Sequence, residues 1–344
     1  MSRAQLTSTV EQNSAGAASP FVAGKNKIIN GDFGVWQRGT SFTPASTVTT
    51  YSADRFGSTR DGSGATVTVS QQAFTPGTAP VTGYEAQYFW RYAQTVAGTG
   101  GTYTNILETH LEDVKLLSGQ TATFSFWAKA DASRTATIYW NQIFGTGGSS
   151  TVYTNAGSVN LTTTWARYSV TFAVPSMSGK TIGTSSWAGP SIQLGANTVQ
   201  TIDVWGVQLE AGSVATPFTT ASGTVQGELS LCQRYYWRAT SVGSSSAYQH
   251  FGMGQAYSSS AAKVPIFLPV SMRTAPSISF TGNLGLLNSN NTAVNNASVV
   301  TADGVSANIA GTYWTGSSGL SAGNAATLMA NANNTCYIEF SSEL

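Results

Sequence analysis

The densest group of potentially catalytic side chains lies in the segment ETHLEDVK, where Glu108, Glu112 and Asp113 surround His110. Hydrolysis of a glycosidic bond needs two carboxyl groups that flank the bond in a cleft. The same spacing is typical of a solvated helix or loop face, and we favour that interpretation. The sequence contains no GxSxG or HExxH motif. Its glycine-rich segments lack the strand–loop–helix context of a phosphate-binding loop. The sequence therefore predicts that the protein is not an enzyme.

Side chains that bind metals are few. Cys232 and Cys336 lie far apart with no CxxC spacing, and a zinc site is excluded on that ground. The remaining candidate is a pair of carboxylates, Asp32 near the first predicted strand and Asp203 in the last. The first and last strands of a sandwich often lie side by side, so these two residues are a candidate site for a structural Ca2+. The alternative is two turn or edge carboxylates that backbone amides satisfy, and no other cofactor is predicted.

Charge is scarce and balanced in this chain. Charged residues make up 9% of the sequence, against about 25% in an ordinary soluble protein, and 16 Lys and Arg offset 15 Asp and Glu. Such a balance offers no surface for a polyanion, so nucleic acid is not an expected partner. No apolar run is long enough to cross a bilayer, so no membrane insertion is expected. A low-charge surface rich in Thr, Ser and Gly is typical of extracellular-type β-structure, or of a surface that assembly covers.

Alternation of apolar and polar residues with a period of two runs through much of the chain. It is clear in the segments 121–130, 134–144 and 166–175, and this period is that of a β-strand. The segment 201–212 is apolar on both faces, as expected of a central or interface strand. Turn residues separate these short runs, with no helical pattern between them. The sequence predicts an all-β protein, with a jelly-roll β-sandwich followed by a smaller C-terminal β domain.

Four regions follow from these patterns. Residues 1–25 are small and polar, and we interpret them as an arm that docks on a partner through Phe21, the alternative being a disordered tail. Residues 26–220 form the predicted jelly roll. Residues 221–230 are a linker in which a short helix is expected to begin. Residues 231–344 form the C-terminal β domain, which is predicted to oligomerise.

Five motifs in a fixed order resemble a widespread family of bacteriophage virion proteins, which includes tail-fibre-like and head-fibre-like appendage subunits. Together they extend over roughly residues 26–280. In order, the motifs are NKIINGDFGVWQRGTSF, YSADRFG, IDVWGVQLEAGSVATPF, ELSLCQRYYW and FLPVSMRTAPSISF.

The resemblance implies a first domain similar to the jelly-roll carbohydrate-binding modules. It also implies a structural role in the virion, often with binding of a host surface glycan or receptor, and assembly in the host cytoplasm. Because that compartment is reducing, Cys232 and Cys336 are expected to be buried and reduced. The alternative functions are a capsid decoration or head-fibre protein with a purely structural role, and a polysaccharide depolymerase.

The segment CQRYYWRA has no purely polar face for water. A strand that is apolar on both faces must be covered on both sides, either inside a sheet or by another subunit. Subunit interfaces are enriched in Tyr, Trp and Arg, and we favour a homotrimer, with the docking arm contacting another virion protein. The predicted interface residues are Phe21, Arg234, Tyr235, Tyr236 and Trp237.

Aromatic residues that strand alternation turns away from the core are the candidates for stacking on sugar rings. The alternative is that they pack under a loop, against the second domain or against another subunit. The candidates are Trp127, Tyr139, Tyr88, Trp90 and Tyr92, with Gln87, Arg91, Asn141 and Gln142 as polar neighbours.

Overall fold

The computed structural model describes residues 24–46, 48–81, 84–244, 246–288, 294–316 and 319–344. The chain divides into two compact units, one reaching Leu229 and including Leu344, the other Ser230–Glu343. The boundary falls within the segment 221–230, which the sequence assigns to a linker. Most of the predicted docking arm, including Phe21, lies outside the described residues.

The first unit is built from short antiparallel strands, as the period-two alternation requires. In chain order these are β1 (Ser41–Phe42), β2 (Thr50–Tyr51), β3 (Phe56–Ser58), β4 (Thr66–Ala73), β5 (Tyr88–Val96), β6 (Tyr103–Thr109), β7 (Leu111–Glu112), β8 (Thr121–Ala130), β9 (Arg134–Ile143), β10 (Val152–Leu161), β11 (Ala166–Ala173), β12 (Trp187–Gly195) and β13 (Gln200–Ala211).

These strands form two sheets. Sheet I has the order β1-β4-β5-β13-β8-β11, and sheet II has the order β10-β9-β12-β6-β3-β2, with β7 paired to β12. Their inner faces share one hydrophobic core, in which the Trp140 ring of sheet II lies 5.7 Å from the Phe172 ring of sheet I. Phe124 and Phe126 of β8 are both fully buried there. The prediction of an all-β jelly-roll sandwich is confirmed.

Most of the second unit is also β-structure. It begins within helix α1 (Val225–Gln233). Thr224 caps the first turn of this helix, since its hydroxyl accepts a hydrogen bond from the Gly227 amide at 3.0 Å. The strands of this unit are β14 (Tyr236–Thr240), β15 (His250–Ala256), β16 (Ala261–Phe267), β17 (Ser277–Thr281), β18 (Leu284–Asn288), β19 (Val294–Val305), β20 (Ile309–Gly316), β21 (Ala325–Ala330) and β22 (Tyr337–Ser341).

Six of these strands close into a barrel in the order β15-β16-β20-β19-β18-β21, and β14, β22 and β17 form a separate sheet. Closure pairs every strand of the barrel on both sides, so it has no free edge. The barrel core contains Val264, Leu286, Trp314 and Leu328. None of the helices that the structure describes is long and apolar enough to span a membrane.

The segment CQRYYW is not one strand, contrary to the prediction. Cys232 and Gln233 end helix α1, and the strand β14 begins at Tyr236. The Trp237 ring stacks on Phe340 at 5.2 Å, and the Tyr236 hydroxyl donates to Glu339. These aromatic side chains are therefore packed within the second unit itself, while the homotrimer stays a prediction.

Tyr235 and Arg234, the two other predicted interface residues in this segment, form the turn between α1 and β14. Tyr235 is buried and Arg234 is half-buried. Both cysteines are buried, as predicted, although Cys232 lies on the helix rather than on a strand.

Candidate functional site

A row of mostly polar side chains crosses the outer face of sheet II from one edge to the other. On β9, Ile138 and Trp140 face the core, so Tyr139 between them faces outward. The register pairs Tyr139 with one residue on each adjacent strand, and those residues with one on the strand beyond, so that six paired residues lie on the same face. The row consists of Tyr51, Gly57, Glu108, Ser191, Tyr139 and Asn155, and we call it the sheet II row.

Hydrogen bonds between side chains fix the polar part of this face. The Gln193 side-chain amide donates to the side-chain oxygen of Asn105 at 2.8 Å, and the Asn105 side-chain nitrogen donates to the Glu108 carboxylate at 3.1 Å. Asn141 donates to the Ser191 hydroxyl at 3.2 Å. Because each amide is held by its neighbour, the donors and acceptors of the face have defined positions before any ligand arrives.

Aromatic rings accompany the polar residues on the same face. The His110 ring stacks on Trp187 at 3.6 Å with an interplanar angle of 18°, and Tyr51 meets His110 edge-on at 5.9 Å. Tyr139 is half-buried, and Tyr153, in register with Asn141, is 67% exposed. The face therefore combines flat apolar surfaces with ordered hydrogen-bonding groups.

Glu108 carries the charge of the sheet II row. Its carboxylate accepts hydrogen bonds from Thr49 at 2.6 Å and from Asn105 at 3.1 Å, and His110 Nε2 lies 3.7 Å away. Burial alone would raise the pKa of Glu108, but His110, Thr49 and Asn105 together hold it below its ordinary value. Glu108 is therefore ionised at neutral pH.

This lowered pKa predicts a pH-dependent contribution to stability. A carboxyl group with a lower pKa in the folded state stabilises it above the unfolded-state pKa of 4.5, and this stabilisation disappears as pH falls through the folded-state pKa. We expect Glu108→Gln to lower the unfolding free energy by about 1–3 kcal/mol at pH 7, with a smaller difference from the native protein at pH 3. Urea unfolding at the two pH values measures this difference in unfolding free energy, with Glu112→Gln at the exposed position of β7 as the control. A difference that does not change with pH would contradict this assignment.

Two of the predicted sugar-stacking residues are core residues. Trp90 and Tyr92 are fully buried, and the Trp90 indole donates to the Ser52 hydroxyl at 3.1 Å inside the sandwich. The expectation that they face away from the core is wrong, because β5 is apolar on both faces and its Phe89 side is the outer one. Neither ring has a face open to a sugar in this structure.

Trp127 does point away from the core, but the outer face of sheet I is covered there. Its ring contacts Trp205 at 5.5 Å and Phe218 at 6.2 Å, and the Arg167 guanidinium lies 4.6 Å from its centre. This matches the alternative of packing under a loop. Tyr139 is the candidate that the structure leaves half-exposed on a polar face.

Tyr88 lies elsewhere, at the rim of the sandwich. It lines a shallow depression of about 570 Å3 together with Phe74, Glu85 and Gln87. A second, smaller cavity of about 120 Å3 lies nearby and includes Asp32, Tyr84 and Glu228.

Asp32 and Asp203, the two expected calcium ligands, have separate partners in the structure. Asp203 accepts two hydrogen bonds from Arg91, at 2.6 and 2.8 Å, and lies 3.5 Å from the Lys129 ammonium. Asp32 accepts a hydrogen bond from the Tyr84 hydroxyl at 3.2 Å instead. Asp32 lies in a turn, and the first strand that the sequence predicted there does not form. Burial, and then repulsion from Glu228, raises the pKa of Asp32.

Two cations thus already occupy the Asp203 carboxylate, which makes it a poor ligand for Ca2+. Within the described ranges, no group of three or more His, Cys, Asp and Glu side chains is placed to hold a metal ion.

The comparisons with known proteins concern architecture. No protein-family model matches the chain, and no curated protein matches it. Among solved structures, it is similar to a CBM4 module at 20% identity and a TM-score of 0.29, covering 53% of this chain and 98% of that one. It is also similar to the CBM22-1 xylan-binding domain of Paenibacillus barcinonensis Xyn10C, at 11% identity and a TM-score of 0.33, covering 57% and 99%.

A further similar structure is the enzymatically active domain of tailspike protein 4 of bacteriophage CBA120. The identity is 15% and the TM-score 0.31, covering 55% of this chain and 22% of that one. At these scores the similarities define no shared site or activity. The class that the coordinates establish is an all-β protein with a jelly-roll sandwich and a second β unit.

Proposed function

We propose that the protein binds a polysaccharide through the outer face of sheet II. The observation that carries this proposal is the outer face of sheet II, where the partly exposed amides of Asn105 and Gln193 are held in a hydrogen-bonded chain that ends on Glu108. The half-buried Tyr139 ring of the sheet II row lies on the same face. Sugar hydroxyl groups need both donors and acceptors, and the C–H face of a pyranose packs on an aromatic ring. Six strands spaced by about 4.8 Å make the row about 24 Å long, which suits several consecutive sugar units.

The arrangement also limits what binding costs. Amides that already hold one another lose little rotational freedom when a ligand replaces water, so more of the contact energy appears as affinity. Gln193 and Asn105 keep unused donor and acceptor capacity after their mutual hydrogen bond. These groups are available to the hydroxyl groups of a sugar chain.

We further propose that binding occurs without cleavage. Glycoside hydrolysis needs two carboxyl groups, and one of them must remain protonated until it donates to the leaving group. The sheet II row contains one carboxylate, Glu108, whose neighbours lower its pKa and hold its oxygens. That environment suits a fixed hydrogen-bond acceptor better than a general acid.

The biological setting is proposed from the sequence. The five motifs that resemble bacteriophage virion proteins support a fibre or tail appendage subunit, assembled in the host cytoplasm, that contacts a host surface glycan during adsorption. A homotrimer attached to another virion protein through its N-terminal arm fits the same resemblance.

Affinity electrophoresis through gels that contain purified host surface polysaccharides tests this function. We expect slower migration in at least one polysaccharide, with no release of reducing ends. Release of reducing ends would establish a depolymerase instead. Unchanged migration in every polysaccharide, together with no adsorption of the labelled protein to host cells, would favour a purely structural role.

A further inference from the structure

The outer face of sheet I carries a second partly exposed cluster, unrelated to the sheet II row. Strand register aligns Ser70 of β4, Arg91 of β5, Asp203 of β13 and Lys129 of β8 side by side. Arg91 holds Asp203 with two hydrogen bonds, and the Lys129 ammonium lies 3.5 Å from the same carboxylate. Two cations therefore share one anion.

This charge count leaves the cluster positive. The side chains of Arg91 and Lys129 are 32% and 34% exposed, whereas that of Asp203 is 3% exposed. A guanidinium has five N–H donors and an ammonium has three, and the Arg91–Asp203 pair uses two of the guanidinium donors. The surplus positive charge and the remaining donors lie at the solvent side, where an anion can reach them.

An aromatic surface borders these cations. Trp165 lies 5.5 Å from both Phe74 and Phe89, and the Lys129 ammonium lies 5.4 Å from the centre of the Trp165 ring. The loop before Trp165 is anchored on β8, because the Ala130 amide donates to the Thr162 carbonyl at 2.8 Å. The half-buried indole therefore has a defined position beside the ammonium.

We propose that this cluster, the Arg91–Lys129 patch, binds an anionic saccharide unit. Its carboxylate or phosphate accepts hydrogen bonds from Lys129 and Arg91, and the C–H face of its ring contacts the exposed part of Trp165. The shared chemistry is a negative charge carried on a sugar. The patch and the sheet II row lie on opposite outer faces of the sandwich, so an acidic polysaccharide would engage the protein at two separate places.

The test measures binding of three probes by calorimetry at low and at high salt. The probes are a β-1,4-linked oligoglucuronate, a β-1,4-linked glucose oligosaccharide of the same length, and the same glucose oligosaccharide carrying a phosphate. Lys129→Met removes one cation but leaves Asp203 paired with Arg91, so folding is preserved. The matched control is Lys115→Met, which removes an exposed lysine that is paired with Asp113.

We expect Lys129→Met to weaken binding of an anionic probe about tenfold at low salt, the loss that follows when one hydrogen bond to a charged group is removed. Trp165→Ala is expected to weaken it as well, and Lys115→Met to leave it unchanged. Tighter binding of the uronate or of the phosphate identifies which anion the patch prefers. The proposal is overturned if the native protein binds neither anionic probe more tightly than the neutral one, or if Lys129→Met binds both as the native protein does.

A Gln193→Ala background separates this result from the proposed function, because it weakens the face of sheet II alone. We expect the dependence of anion binding on Lys129 to persist in that background. If Gln193→Ala abolishes both the binding of the neutral oligosaccharide and the effect of Lys129→Met on the anionic probes, all the probes bind on the face of sheet II and the second site is overturned. A protein that binds the anionic probes through Lys129, while Gln193→Ala changes the binding of no probe and of no host polysaccharide, would contradict only the function proposed for sheet II.

Discussion

Trp90→Ala is expected to lower the free energy of unfolding by about 3–5 kcal/mol, the range for truncating a large aromatic residue in a core. The Trp90 ring is fully buried and stacks on Tyr92 at 6.2 Å. Its indole N–H also satisfies the buried Ser52 hydroxyl at 3.1 Å. Truncation therefore creates a cavity and leaves a buried polar group without its donor, and both effects destabilise the sandwich.

Urea unfolding measured against Tyr153→Ala provides the comparison. Tyr153 is 67% exposed, so its truncation should change stability by no more than about 0.5 kcal/mol. If Trp90→Ala unfolds at the same urea concentration as the native protein, Trp90 is not a core residue and the packing of β5 described above is incorrect.

Tyr139→Ala and Gln193→Ala are each expected to weaken polysaccharide binding by about 1–3 kcal/mol, the scale of a binding hot spot. Tyr139 supplies the aromatic surface of the sheet II row on β9, next to the edge strand β10, and Gln193 supplies an amide fixed by Asn105. Tyr139 is half-buried outside the core, so its loss should leave the fold intact.

Measuring both polysaccharide binding and thermal unfolding on the same samples separates a role in ligand binding from a role in stability. Ser169→Ala is the control, because Ser169 is exposed on β11 of sheet I. Variants that melt as the native protein does and still bind with native affinity would show that the face of sheet II is not the site.

The strand pattern in the sequence predicted the fold class but left the orientation of some strands open. The alternation in β8 and β9 correctly indicates which residues share a face. In β5 it does not decide which face is inside, because Phe89, Trp90 and Tyr92 make both faces apolar. The outer face is covered by Phe74 and Trp165, and this contact between distant segments is not visible in a local period.

The polar face was only partly predictable for a related reason. Tyr139 and Asn141 were found from alternation, but Asn105, Ser191 and Gln193 come from β6 and β12, far away in sequence. Their registers include a bulge between Ile192 and Gln193, which determines what lies opposite Asn105. The sequence does place Asn, Gln and Glu at outward positions of several strands. These residues can be assigned to one site only when the order of the strands in the sheet is known.

The central claim is that a polysaccharide binds to the outer face of sheet II. Its most direct test is a crystal structure of the protein with an oligosaccharide cut from the polysaccharide that slows its migration. We expect sugar density along the sheet II row, with one ring against Tyr139 and hydroxyl groups within hydrogen-bonding distance of the partly exposed Gln193 and Asn105. Density confined to other surfaces, such as the depression at Tyr88, with the sheet II row empty, would contradict the proposed binding face.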